Sequence, residues 1–320
     1  MATYVLRRLI QALPILIGIS VVSFAIIHLA PGEPTDRFRS GRVSKETIDN
    51  LIRLYGLDKP LPQQFVSWFT AFWQFLWRPD AWGYSFVDGR PVVEKIFEKI
   101  PTTLQLMGSS LLVTIVIAVP IGVLAAVKQY SWADKLITSL ATIAYALPSF
   151  VLGLLLLYVF ALKLNLFPSF GRYTLGKEGD PANLLWHLAL PVASLALQQI
   201  AGWSRYMRAS MLEVLQQDYV RTAKAKGLSG SKVIFKHAMR NALIPVITLL
   251  GLTLPSLLGG AAITETIFSW PGLGLMAVQS VTTNDFPVVL AILMIGGVLV
   301  LIGNLLADVL YGLVDPRIKY

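Results

Sequence analysis

Tyr219–Pro245 reads YVRTAKAKGLSGSKVIFKHAMRNALIP and lies between two long apolar runs. The stretch is basic and polar, and Gly227 gives it a hinge. Its pattern predicts two short helices. Met211, Val214 and Leu215 give the first an apolar face, which Val220 and Ala223 continue. Gly227 permits the left-handed turn that ends it. Leu228, Val233, Ile234 and Phe235 begin the second. Ala223 and Ala225 are small enough for another protein's backbone to come close, and Lys224 and Lys226 ring that contact with charge. A solvated basic loop that merely obeys the positive-inside rule is the alternative, and charge alone favours it. The paired helices, hinge and small residues favour a docking surface.

The rest of the chain supports a membrane setting. Of 320 residues, 55% are hydrophobic and 14% charged, with a mean hydropathy of +0.64. A soluble domain carries about 25% charged residues, so the composition fits a polytopic membrane protein. There is no cysteine, which excludes disulfides and thiolate metal sites. The net charge of +9 is spread over loops between apolar runs, which argues for membrane orientation and against nucleic acid as a partner.

A spanning helix needs about 20 mostly apolar residues. Six stretches qualify: Leu9–Leu29, Leu104–Val127, Ile137–Leu162, Trp186–Trp203, Ala242–Ile267 and Val288–Leu313. Pro14, Pro120, Pro148, Pro191, Pro245 and Pro255 fall within them, and such helices are expected to bend but persist. The first stretch follows Arg7 and Arg8 as a signal peptide would. Its length and Pro31 point instead to a retained helix. The expected fold is all-α: six transmembrane helices with a small external helical layer.

Basic residues set the orientation. Arg7, Arg8, Lys128, Lys135, Arg317 and Lys319 share one side with the eight basic residues between Arg205 and Arg240. The opposite connections carry Lys163, Arg172 and Lys177. The long 31–100 segment translocates largely regardless of charge. Both termini are therefore expected in the cytoplasm of a multi-pass cell-membrane protein. The chain divides into 1–30 (N-terminus and first helix), 31–100 (external segment) and 101–320 (a five-helix core with a cytoplasmic loop at about 205–241).

Within the external segment, Ser44 is placed to cap a helix with Ile48, Leu51, Ile52 and Tyr55 on one face, ended by Gly56. Pro62 opens a second helix rich in aromatics, from Phe65 to Trp77, as befits a membrane–water interface. Pro91 opens a third, presenting Val93, Ile96, Phe97 and Ile100. The layer is expected to act as a lid packed on the bundle, with solute gating as the sharper alternative.

Polar residues at membrane depth are expensive and usually face a cavity or a partner. Glu265, beside the Trp270–Gly272 turn, has two readings: a wall of an outer gate, or a carboxylate in the wet interface. Asp308 is expected to pair with a loop arginine. Gln198, Gln199 and Arg205 are expected to face the bundle, against solute or a neighbouring helix. His28, His187 and His237 have no metal-binding spacing, and no metal is expected. No Gly-x-Ser-x-Gly elbow and no catalytic constellation is legible, so an enzyme is not expected.

Several stretches carry a family resemblance. DYVRTAKAKGL and HAMRNALIP are similar to the coupling loop of binding-protein-dependent ABC importers, in the dipeptide/oligopeptide (and nickel) permease branch. In the general pattern, Arg221, Thr222 and Ala223 take the Glu-Ala-Ala positions and Gly227 the glycine, while His237, Met239 and Arg240 depart from the Ile, Leu and Pro positions. The N-terminal YVLRRLIQALPILIGISVVSFAIIHLAPGEP resembles that branch too, with Glu33 where Asp is usual. So do YGLDKPLPQQF, IPTTLQL, ETIFSWPGLGLM and LADVLYGLVDPRIKY; WRPDAWGYSF is a looser match. Within that family, the chain resembles the first permease of a pair, the one with the long first external loop.

The resemblance implies a type I ABC importer permease fold and a subunit that moves small peptides, or nickel chelates or another small solute, inward. It implies a second homologous permease, two ATP-binding subunits and an extracytoplasmic solute-binding protein as partners. The segment Arg221, Thr222, Ala223, Lys224, Ala225, Lys226, Gly227, Leu228, Ser229, with His237 and Asn241, would dock on the ATPase. Gln198, Glu265 and Trp270 are candidates for the pathway or gate. No cofactor is expected in this chain: ATP and Mg would be held by the ATPases. The residues agree on one point, since Gly171–Glu178, GRYTLGKE, ends in Glu178 where a P-loop needs the Ser or Thr that holds magnesium. Ion-coupled transport is the competing class, yet neither buried charge clusters nor inverted repeats are evident.

Overall fold

A computed structural model describes residues 2–29, 46, 52–53, 56–74, 78–259 and 261–314. The expected cap at Ser44 and its helix over Ile48, Leu51 and Tyr55 lie outside the described residues, as do the side chain of Asp308 and the 315–320 terminus. Among the described residues the regular structure is helical throughout.

The chain opens with α1, Ala2–Leu29. The layer helix α2, Leu61–Gln74, follows, and Pro79–Trp82 adds one tight turn. Next comes α3, Val92–Val127, whose 36 residues correct one expectation. The short external helix opened by Pro91 and the second span are a single helix that runs through Pro101. Ile96 is fully buried, while Phe97 is exposed.

A second correction concerns the third span. The expected run Ile137–Leu162 is divided into α4, Trp132–Ala146, and α5, Ser149–Leu156, which continues as a widened π-helical stretch over Leu157–Lys163. The two pieces meet at 105°. Leu147 is extended (φ −81°, ψ 132°), as the residue before proline prefers, and Pro148 has no N–H to continue the ladder. Pro14, Pro101, Pro120, Pro191 and Pro255 all sit inside intact helices.

The fourth span, α6, runs Pro181–Leu215 and starts at Asp180, whose side chain accepts the N–H of Ala182. It extends well past Trp203, so Met211, Val214 and Leu215 end this long helix and do not form a separate loop helix. Then come α7, Asp218–Ala225, a helical stretch over residues 230–242, and α8, Ile244–Gly259. The expected fifth span ends early, and its tail forms α9, Ala262–Ile267. Last are α10, Leu273–Thr282, and α11, Phe286–Val314.

By length and composition, Val92–Val127, Pro181–Leu215 and Phe286–Ala307 are membrane spans on their own. The α4–α5 pair, and Gly230–Ala242 with Ile244–Thr253 (bent 43°), are spans only if each bent pair makes one crossing. Ile10–Ile26 is a shorter apolar stretch. Among the described residues that makes 3 spans, or 5 if each bent pair is one crossing.

Helices α3 and α6 make the central pair and run side by side in the same sense. Leu106 shares a cluster with Leu188 and Val192 near one end. At the other, a Cβ on Gly122 would come within 2.6 Å of the Met207 Cβ and 2.7 Å of the Ser204 carbonyl oxygen. Glycine is what lets the two backbones approach there. Arg208 on α6 donates to both carboxylate oxygens of the buried Asp134 at 2.7 and 2.8 Å, pinning the first turn of α4. Ser131 caps α4 by accepting the Asp134 N–H, and Asp134 accepts the N–H of Tyr130, the residue before the cap.

The helical layer packs on α10 and α11. Phe72 stacks on Trp82 with centroids 5.1 Å apart, and both join Val92, Ile96, Leu273, Met276 and Val288 in one cluster. Asp285, just ahead of α11 and buried, accepts from the Ser85 hydroxyl and from the Phe86 N–H at 2.9 Å. Lys95 bonds Ser85 at 3.0 Å and Asp88 at 2.9 Å. Burial pushes the Asp88 carboxyl up, but hydrogen bonds from Lys95, the Arg90 N–H and Ser85 outweigh it and hold it below the usual range. Of this latch only Ser85 and Phe86 lie in a stretch with a family resemblance, the loose match WRPDAWGYSF.

Candidate functional site

The loop after α6 is a folded part of the bundle. Val220, Ala223, Val233, Ala238 and Ala242 are buried in the same cluster as Met207 and Met211 of α6 and Val123 and Ala126 of α3. Helix α7 turns away at Gly227, which takes φ +75°, the left-handed turn its position predicts. The Gly227 N–H bonds the Lys224 carbonyl and the Leu228 N–H reaches the Ala223 carbonyl. Asn241 donates to the Tyr219 hydroxyl at 2.7 Å, closing the start of α7 onto the last turn before α8.

This packing sorts the candidate docking residues. Arg221, Thr222, Lys224, Ala225, Lys226, Gly227, Leu228, Ser229 and Asn241 are exposed, and His237 is half-buried. Ala223 is not available to a partner: its small side chain is used inside the chain's own core. Phe235, one of the apolar residues that begin the second helical piece, is 59% exposed. Tyr219, Leu228 and Phe235 therefore add apolar surface beside Lys224, Lys226 and Lys236, which composition could not reveal.

The three pathway candidates fare differently. Glu265 is completely buried, neither in a wet interface nor against an open gate. It accepts from the Thr103 hydroxyl at 3.0 Å and from the Leu275 N–H at 2.9 Å. Leu275 stands in the first turn of α10, so the carboxylate caps that helix where its dipole is positive. Trp270 is also fully buried, with its indole N–H on the Thr102 carbonyl at 3.0 Å. The Glu265–Met276 stretch is a buried corner that ties α9 and α10 to α3. Gln198 is half-buried and donates to the Leu147 carbonyl, the acceptor left over at the α4–α5 break.

The loop GRYTLGKE is held firmly. His187 meets the Gly171 carbonyl at 3.0 Å and Thr174 at 3.2 Å, and Arg172 bonds Gln105 twice, at 3.1 and 2.9 Å. His28 caps the Phe24 carbonyl. His28 and His187 thus each hold main-chain carbonyls.

A bundle of apolar helices with a broken span, and a loop whose apolar residues pack into its core, is the architecture of an integral membrane protein. The chain belongs to the family described as binding-protein-dependent transport system inner membrane component, which matches residues 118–320; the N-terminal component of the same systems matches residues 1–107. It is 43% identical over 321 residues to the oligopeptide transport system permease protein AppB of Bacillus subtilis, covering all of both chains. It is 36% identical over 342 residues to the dipeptide transport system permease protein DppB of Escherichia coli K12, covering all of this chain and 99% of the other. The fold is like that of the MetNI methionine ABC transporter in an inward-facing conformation. There the TM-score is 0.54 at 17% identity, over 70% of this chain and 98% of that one. The protein is a multi-pass ABC-importer permease, and the resemblance expected from its motifs holds.

Proposed function

We propose that this chain is one of two permeases in an ATP-driven importer of small peptides, fed by an extracytoplasmic binding protein and powered by two partner ATPases. The observation that carries the reading is the common core of the loop and the spans. Because Val220, Ala223 and Val233 pack with Met207 and Val123, a push on the exposed face of α7 moves α6 and α3 as one body. ATP binding in the partners would thereby bias the bundle between inward-open and outward-open states. The peptide class is supported by the named relatives and the full-length match.

The energy source is testable. The assembled complex is placed in sealed vesicles with ATP on the side of the Tyr219–Pro245 loop. Peptide uptake is expected to require that ATP and to persist when an uncoupler collapses the membrane potential. Uptake that stops with the uncoupler while ATP is plentiful favours ion coupling; uptake by the chain alone favours a channel.

Orientation follows from the basic-residue asymmetry, with both termini and the loop that follows α6 in the cytoplasm. The chain has no cysteine, so single cysteines report topology cleanly. An impermeant thiol reagent outside intact cells is expected to label Asp88→Cys and to spare Lys232→Cys. The reverse pattern inverts the topology.

A further inference from the structure

The loop-side half of α6 carries two arginines one turn apart with unlike surroundings. Arg208 is spent on Asp134. Arg205 is exposed, and among the described residues no ion pair joins it to a carboxylate. Its Nε leans back on the Ala201 carbonyl at 3.3 Å, toward the start of its helix. Its guanidinium carbon lies 4.5 Å from the centroid of the Tyr145 ring. Arg205 stands ten residues before the end of α6, about 15 Å along the axis. The guanidinium is thus directed along α6 away from its loop end.

A second feature lies beside it. Tyr145 is two residues before Leu147, where the span breaks. Pro148 offers no N–H to the Ala144 carbonyl, and Tyr145, Ala146, Pro148 and Phe150 are all exposed on this chain. Gly202 keeps the surface low next to the tyrosine: a Cβ there would sit 4.0 Å from the ring. Irregular backbone at membrane depth is tolerated only against protein or water, and a charged side chain there faces a cavity or a partner. A broken helix and an exposed guanidinium on the same face both call for a cavity or a protein partner, and neither suits hydrocarbon.

We propose that the face formed by Arg205, Tyr145, Gly202 and the Leu147–Pro148 break lines the solute passage, and that Arg205 receives the carboxylate of a peptide moving through it. The proposal rests on the peptide reading above. A planar guanidinium already seated on an aromatic ring is oriented to take a carboxylate side-on. Gln198, by holding the Leu147 carbonyl, keeps the break in place and acts as a positioning residue.

The test uses the full complex in vesicles, with partner subunits freed of cysteine and dialanine as the probe. Arg205→Cys is expected to lower uptake at least tenfold while the complex assembles normally, and Arg205→Lys is expected to keep most of it. A positively charged methanethiosulfonate reagent should restore uptake of the Cys variant severalfold; a negatively charged one of similar size should not. Equal effects of the two reagents, a thiol that neither reaches, wild-type uptake by the Cys variant, or loss of assembly would each overturn the proposal. A wild-type complex that moves no dipeptide or tripeptide overturns the peptide reading itself, and the carboxylate site with it.

Discussion

Gly272→Ala is expected to remove most of the assembled permease from the membrane. The backbone at Gly272 is ordinary (φ −99°, ψ −173°), so the reason is space and not conformation. An added Cβ would fall 2.5 Å from both carboxylate oxygens of Glu265 and 2.5 Å from the Thr103 hydroxyl. Relief requires the carboxylate to move, but it is fixed by Thr103 and by the Leu275 N–H. Thr103 is fixed in turn by the Leu273 N–H at 2.8 Å. Overpacking costs about 1–3 kcal/mol, and a buried group left without its hydrogen bond adds about 1–3 kcal/mol, more for a charge. Together these make about 2–6 kcal/mol, a large part of a margin of about 5–15 kcal/mol. Glu265→Ala is expected to be harmful for the complementary reason, leaving the Leu275 N–H and the Thr103 hydroxyl without their acceptor. Quantifying folded complex by size-exclusion chromatography after mild detergent extraction checks both. Wild-type yield with Gly272→Ala would show that the corner yields easily and that its packing is not structural.

The second large effect is at Ala223. Replacing it with Glu would bury a carboxylate in an apolar cluster with Val220, Val233 and Ala238. An uncompensated buried charge costs about 3–5 kcal/mol. The expected result is loss of the α7 fold, seen as protease cleavage in the 219–245 segment and a reduced yield of complex. Phe235→Glu supplies the contrast. Phe235 is exposed, so the variant should assemble at the wild-type level, yet lose at least tenfold in binding-protein-stimulated ATPase activity and in uptake. Equal damage from both substitutions would sink the division of the loop into an inner and an outer face. Full activity of Phe235→Glu would remove the exposed apolar patch from the docking surface.

The contrast between these sites shows where sequence reasoning reached and where it stopped. Apolar runs, the basic loop between them and the left-handed glycine at Gly227 are local properties. Helix geometry, the cost of charge in lipid and the steric penalty on φ > 0 depend on residues near one another in the chain, so the chain alone determined them. The family resemblance was legible for the same reason, as runs of adjacent residues.

What tertiary structure decided were pairings across long separations. Pro148 is the same residue as Pro120 and Pro191, yet only at Pro148 does the span break. There Gln198, fifty-one positions away, takes the Leu147 carbonyl. Glu265 read as a gate or interface residue because its acceptor role depends on Thr103, 162 positions off. Ala223 looked like a contact for another protein because a small residue has the same appearance in sequence whether its neighbour is a partner or its own chain. Composition determined that a carboxylate, a proline and an alanine were there; packing determined whether each faces water, a partner or the core, because burial is a property of the assembled helices and not of the segment that bears the residue.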